Sequence, residues 1–236
     1  MKKICAGTSG WAYTSWKAGF YPAKLASAKF LSYYATRLNS VEVNYTFRAF
    51  PTEKLLAGWT AATPPDFTFA VKAHQSVTHI KRLRSAAAAT SKFLASLLPL
   101  QEAGKLGPVL FQLPPFLKYD LPLLTDFLRA LPGSVRSAFE FRHESWFQED
   151  VFAALRGANA ALCLAESDKL VTPDVLTADF CYIRLRKESY PSKACKDIAK
   201  RVLNIARERE VFVYFKHEAT PENARCAEDL LSDGKD

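Results

Sequence analysis

The chain of 236 residues has little of what usually announces a function. Its five cysteines, Cys5, Cys163, Cys181, Cys195 and Cys226, are odd in number, widely spaced and never arranged as Cys-x-x-Cys. That argues against a disulfide framework and against a zinc knuckle. Cys5, Cys163 and Cys181 fall in apolar, strand-like runs, where a thiol packs as a small hydrophobe. No apolar run approaches the length of a membrane span, and none of signal-peptide length follows Lys2 and Lys3. A reduced, cytoplasmic setting with no membrane partner is the expectation.

Several catalytic signatures are missing too. There is no Gly-x-Ser-x-Gly elbow, no Walker-type loop, no His-x-His and no His-Glu-x-x-His. Gly7-Thr8-Ser9-Gly10 is too short, and too aromatic in its sequel, for the dinucleotide fingerprint. No cofactor is expected. Internal repeats, low-complexity tracts and linkers are also absent, which points to one domain over residues 1–236.

What is present is material for a large core: 49% hydrophobic and 13% aromatic residues. Thirty-two basic against 24 acidic side chains give a formal charge of +8, which favours anionic partners. The hydrophobic pattern alternates between strands and helices. Strands are expected at residues 3–7, 40–45, 67–71, 108–113, within 136–146, and at 160–165, 180–185 and 211–215. Helices are expected at residues 24–38, 51–61, 85–102, 121–131, 149–157, 173–177, 193–210 and 221–231. Eight strands alternating with eight helices imply parallel pairing and an α/β fold of the TIM (β/α)8 barrel type.

Four of these strands have an unusual form. In Phe139-Glu140-Phe141-Arg142 the residues two apart share a face, so Glu140 and Arg142 point one way and the phenylalanines the other. Glu42 and Asn44 between valines, Arg184 and Arg186 in strand seven, and Phe212 to Lys216 repeat the theme. In a barrel the C-terminal strand ends form the active face. This mapping gathers Thr8, Ser9, Glu42, Asn44, Lys72, His79, Gln112, Glu140, Arg142, Asp168, Arg184, Arg186 and Lys216 at one mouth.

Ordered motifs along nearly the whole chain resemble the YecE-like family. They are Gly7-Thr8-Ser9-Gly10-Trp11 with Trp16 and Phe20-Tyr21-Pro22, Val41-Glu42-Val43-Asn44 with Phe47 and Pro51, residues 67–72 with Thr78-His79, Phe111-Gln112-Leu113-Pro114-Pro115, and Glu140-Phe141-Arg142 with Ser145-Trp146. The resemblance implies a TIM-barrel-like fold; the family is catalogued as a domain of unknown function, so it implies no reaction. Two departures stand out. Arg184-Leu185-Arg186-Lys187 occupies the place of a family Arg-x-His-Gly, and Tyr214-Phe215-Lys216-His217-Glu218 that of a Tyr-Phe-Asn-Asn type ending. Both make the expected site more basic.

The expected chemistry is binding of a small anionic molecule, such as a phosphorylated one, for hydrolysis or isomerisation. Arg142, Arg184 and Lys72 would hold its oxygens, arginine through its bidentate fork. Asn44, His79 and Gln112 would complete the polar lining. Glu140 or Glu42 would act as general acid or base, and Trp11, Tyr13 and Trp146 would stack on a ring. One alternative is a divalent-metal hydrolase or nuclease-like barrel drawing on Glu42, Glu140, His79, His143 and His217, ligand types that lack ligand spacing. Another is a nucleic-acid-binding protein using Lys81-Arg82-Leu83-Arg84 and the basic helix at 193–210, although that helix is interrupted by Asp197, Glu208 and Glu210.

Overall fold

A computed structural model describes residues 1–166, 170–216 and 221–234. Eight strands form one sheet: β1 (Ile4–Thr8), β2 (Ser40–Val43), β3 (Thr68–Lys72), β4 (Leu106–Gln112), β5 (Ser137–Glu140), β6 (Ala161–Glu166), β7 (Phe180–Leu185) and β8 (Glu210–Phe215). All seven ladders are parallel, in the order β1-β8-β7-β6-β5-β4-β3-β2. Helices α1 (Phe30–Tyr34), α2 (Glu53–Ala61), α3 (Ala87–Ala95), α4 (Leu98–Glu102), α5 (Leu121–Ala130), α6 (Glu149–Gly157), α7 (Ser192–Ile205) and α8 (Glu222–Asp233) lie along the connections. The result is an α/β barrel of the TIM type, nearly closed.

The remaining seam, between β1 and β2, is joined by side chains. Ala6 N–H donates to Asn39 Oδ1 at 2.9 Å, and Asn39 Nδ2 donates to the Ile4 carbonyl at 2.8 Å. The Tyr34 hydroxyl accepts from Thr8 N–H at 2.8 Å and donates to the Ser40 carbonyl at 3.0 Å. Two side chains thus satisfy backbone groups that a ladder would otherwise pair. Gly7 makes the approach sterically feasible, since a Cβ there would lie 1.9 Å from the Ser40 carbonyl oxygen.

The pleat sorts each strand into two sets. Val41, Val43, Phe69, Val71, Val109, Phe111, Phe139, Phe141, Ile183 and Val213 join the core that also takes the apolar helix faces. The opposite residues fill the barrel. There Phe180, Tyr182, Phe212 and Tyr214 pack with the small side chains of Ala70, Ala138, Ala161 and Cys163. Large groups from two adjacent strands meet mainly small groups from the others. Cys5, Cys163 and Cys181 are buried free thiols, as the sequence implies.

Four expectations need correction. Residues 173–177 form no helix; Thr177 Oγ1 instead accepts from Leu162 N–H at 2.7 Å, and Thr172 Oγ1 from Ala165 N–H at 3.2 Å. Threonine hydroxyls offer the backbone an alternative partner and hold this segment along β6. The helix expected at 85–102 is two, α3 and α4, with Pro99 in the first turn of the second, where its missing N–H costs least. The expected 24–38 helix is helical only from Ser27, as a 3₁₀ turn (Ser27–Lys29) followed by α1. Finally, Cys195 on α7 and Cys226 on α8 form a disulfide. Their separation of 31 residues has no local signature, and two packed helices bring them together.

Candidate functional site

Above the aromatic layer the barrel is filled by charge. Arg184, on β7, is 1% exposed and lies between two carboxylates. Its Nε and Nη2 donate to Glu42 Oε2 and Oε1 at 2.8 and 2.7 Å, a bidentate pair, while Nη1 donates to Glu140 Oε2. The Tyr182 hydroxyl donates to Glu42 Oε2 at 2.9 Å, and Asn44 Nδ2 to Oε1 at 3.3 Å. On the far side, Gln112 Nε2 donates to Glu140 Oε1 at 2.8 Å, and Lys72 Nζ donates to Gln112 Oε1 at 2.7 Å. One connected chain therefore runs from Lys72 on β3 across β4 and β5 to Arg184 on β7 and Glu42 on β2.

The charges set one another's protonation. Burial alone would push the Glu42 carboxyl up, but the guanidinium of Arg184 and the hydrogen bonds it makes bring it from the ordinary 4.5 down to about 2. Lys72 moves the other way for a cation. Burial lowers it, the charge of Arg184 lowers it further, and the carboxylates of Glu140 and Glu42 only partly offset this, so it falls from 10.5 to about 8.

This layer is the floor of a cavity of ≈ 670 Å³ at the C-terminal ends of the strands. Its walls include Ser9, Asn44, Phe47, Arg48, Lys72, Gln112, Glu140, Arg142, Arg184 and Arg186. Arg186 donates to Ser9 Oγ at 3.1 Å, and Lys72 Nζ lies 4.2 Å from the centre of the Phe47 ring. Arg142 and Arg48 are exposed on the rim and have no carboxylate partner among the described residues. The loop after β3 borders this rim with a π-helical turn (Ser76–Ile80) and positive φ at Arg82, Leu83 and Ser85. Such outliers gather at functional sites.

The family described as "Protein of unknown function DUF72" matches residues 5–236. The chain belongs to the DUF72 family. A crystal structure of a DUF72 family protein from Thermotoga maritima matches with a TM-score of 0.88 at 26% identity, covering 99% of this chain and 100% of that one. UPF0759 protein YunF of Bacillus subtilis is 33% identical over 150 residues, 61% of this chain and 52% of its own length. UPF0759 protein YecE of Escherichia coli K12 is 35% identical over 118 residues, 50% of this chain and 43% of its own length. The chain spans about half the length of the curated relatives it matches.

This DUF72 barrel brings Lys72, Asn44, Gln112, Glu140, Arg142 and Arg184 together at one cavity, as the sequence implies. Glu42 is different: it is fully buried and does not line the cavity, so it lies beneath it and holds Arg184. Arg184, expected as an anion ligand, spends its donors on two glutamates. Trp146 is also out of reach, with no exposed surface, its Nε1 donating to the Leu117 carbonyl at 2.7 Å and its ring stacked on Phe141. Trp11 does not line the cavity and meets Trp59 edge-on at 5.3 Å.

His79 packs edge-on against Phe47 at 4.8 Å, outside the cavity lining. Burial, then the charges of Lys72 and Arg142, hold it below its ordinary value. His143 accepts from Ser145 N–H at 3.2 Å and caps a 3₁₀ turn (Glu144–Trp146). Asp168 and His217 lie outside the described residues. Among the described residues no three His, Cys, Asp or Glu side chains are grouped to hold a metal ion. The basic segments are partly neutralised, Arg84 by Asp120 at 2.9 Å and Arg201 by Asp174 at 3.0 Å. Among the described residues no helix is long and apolar enough to cross a membrane. Phe47 and Arg48, which the sequence pattern did not place at the site, lie three and four residues after Asn44 in the segment that follows β2. Their position after a strand end was the available signal.

Proposed function

We propose that this barrel is an enzyme whose mouth binds a small molecule through an anionic group, such as a phosphate or carboxylate, and carries out hydrolysis or isomerisation on it. One observation supports this most. Arg142 and Arg48 line the cavity with no carboxylate partner among the described residues, whereas Arg184 below them is neutralised by its own carboxylates. A floor already balanced in charge needs no anion; the rim does. Glu140 is the carboxylate that both lines the cavity and belongs to the buried chain, which suits it to move a proton to or from the bound molecule. Gln112 and Arg184 fix its orientation, and Asn44 and Arg186 supply further donors.

A thermal-shift and calorimetric screen of phosphosugars, nucleotides and inorganic phosphate tests the reading, because a ligand that binds only the native state raises its stability. Each charged hydrogen bond contributes about 1.5–3 kcal/mol, so Arg142→Ala should weaken binding about tenfold or more. Arg48→Ala, whose guanidinium also lies over the Phe47 ring, should cost somewhat less. Unchanged affinity in a folded Arg142→Ala/Arg48→Ala double variant would remove the centre of the proposal. Binding seen only with oligonucleotides, and falling steeply with salt, would move it to nucleic acid.

A further inference from the structure

The hydrogen-bonded chain contains a lysine, Lys72, that forms no ion pair among the described residues. Glu140 and Glu42 are both engaged by Arg184, and Gln112 stands between Lys72 and Glu140, accepting from the one and donating to the other. An acidic residue at position 112 would have locked Lys72 as an ammonium. The amide leaves it held by one neutral acceptor, with an aromatic face beside it and the cavity in front.

We infer that Lys72 is a covalent catalytic residue, its Nζ condensing with the carbonyl of a small aldehyde or ketone whose anionic group rests on the Arg142 rim. The inference rests on the anion-binding reading and names the substrate class of that same site. The neutral amine adds its lone pair to the carbonyl carbon and the carbonyl oxygen takes a proton. The carbinolamine then loses that oxygen as water, leaving a protonated imine. No oxidant or reductant is needed, and the one proton taken up beyond those already on the amine resides on the imine nitrogen. The iminium withdraws electrons from the adjacent carbon, so a C–H there becomes acidic, and Glu140 is the carboxylate of the cavity wall placed to accept its proton.

The electrostatics agree with the geometry. A lysine beside other cations and out of water is a recognised way to an amine that is nucleophilic near neutral pH. With Lys72 at about 8, roughly a tenth of it is neutral at pH 7, against well under a hundredth for an ordinary lysine.

The test uses pyridoxal 5′-phosphate, an aldehyde that carries a phosphate, and a neutral aromatic aldehyde of similar size. Each is incubated with the intact protein, reduced with borohydride, and the modified lysines are located by peptide mass. Both probes should modify Lys72 first, on the order of tenfold faster than exposed lysines at pH 7. The rate should level off once the pH passes about 8, where surface lysines are still gaining reactivity. Lys72→Arg should abolish the fast phase. Arg142→Ala should slow the phosphorylated probe and leave the neutral one unchanged. Fast Lys72 labelling with no effect of Arg142→Ala would retain the nucleophile and overturn the anion rim. Labelling of Lys72 no faster than exposed lysines with both probes would overturn the nucleophile, while phosphate affinity measured separately reports on the rim.

Discussion

Replacing Arg184 with methionine is expected to cost about 3–5 kcal/mol of folding stability at pH 7, because it strands two buried carboxylates without their cation. The pH dependence of that loss identifies its cause. In the parent protein Glu42 has a folded value of about 2 against an ordinary 4.5. A depressed carboxyl contributes stability that is fully present above the unfolded value and is lost as pH falls from there through the folded one. In the variant, burial, the largest influence, is opposed only by the charge of Arg186 and the Tyr182 hydrogen bond, and raises the same carboxyl. A raised folded value reverses the sign: protonation then favours the folded state, and stability is lost as pH rises above the ordinary value. The gap between parent and variant should therefore be widest near neutrality and shrink as pH falls below 5. Urea unfolding of both proteins at matched pH values measures it, and a gap independent of pH would show that only packing was lost. Adding Glu42→Gln to the variant should recover part of the stability.

Gly7→Ala is the second substitution expected to act strongly. The new Cβ would sit 1.9 Å from the Ser40 carbonyl oxygen and 2.7 Å from the Tyr34 hydroxyl. The first neighbour is backbone and cannot swing aside, so β1 and β2 must separate. That separation breaks the hydrogen bonds of Tyr34 to Thr8 and Ser40, each leaving a buried polar group that costs about 1–3 kcal/mol. A total of about 3 kcal/mol or more is expected, enough to unfold a marginal domain. Gly58→Ala is the control. Gly58 lies within α2 with no atom within 4 Å of its would-be Cβ, so the same change there should be neutral or stabilise by up to about 1 kcal/mol. Chemical denaturation of the two variants side by side reads the contrast; equal effects would mean that the seam tolerates opening.

The barrel was legible because strand alternation is a strong signal. Phe139 and Phe141 face the helices and Glu140 faces inward, as a period of two requires. So was the gathering of Lys72, Gln112, Glu140, Arg142 and Arg184, since chain order and strand ends place them once the fold is known. The division of labour among them was not. Glu42 and Glu140 look alike in sequence, and only the reach of the Arg184 guanidinium separates the one beneath the cavity from the one on its wall. Trp146 looks like a stacking platform until Leu117 and Phe141 enclose it. The 173–177 segment was misread because Thr172 and Thr177 take backbone N–H groups of β6 and hold the chain extended beside it, a contact its own pattern does not encode. Contacts between residues far apart in the chain decide the rest, and single-sequence periodicity carries no information on them.

The bond between Cys195 and Cys226 encloses the stretch that contains β8, the strand that pairs with β1 on one side and β7 on the other. The barrel's last stave therefore lies inside a closed covalent hoop. A protease that cuts anywhere from residue 196 to 225 severs the main chain without releasing a fragment, and the two pieces stay tethered at the place where they must meet again.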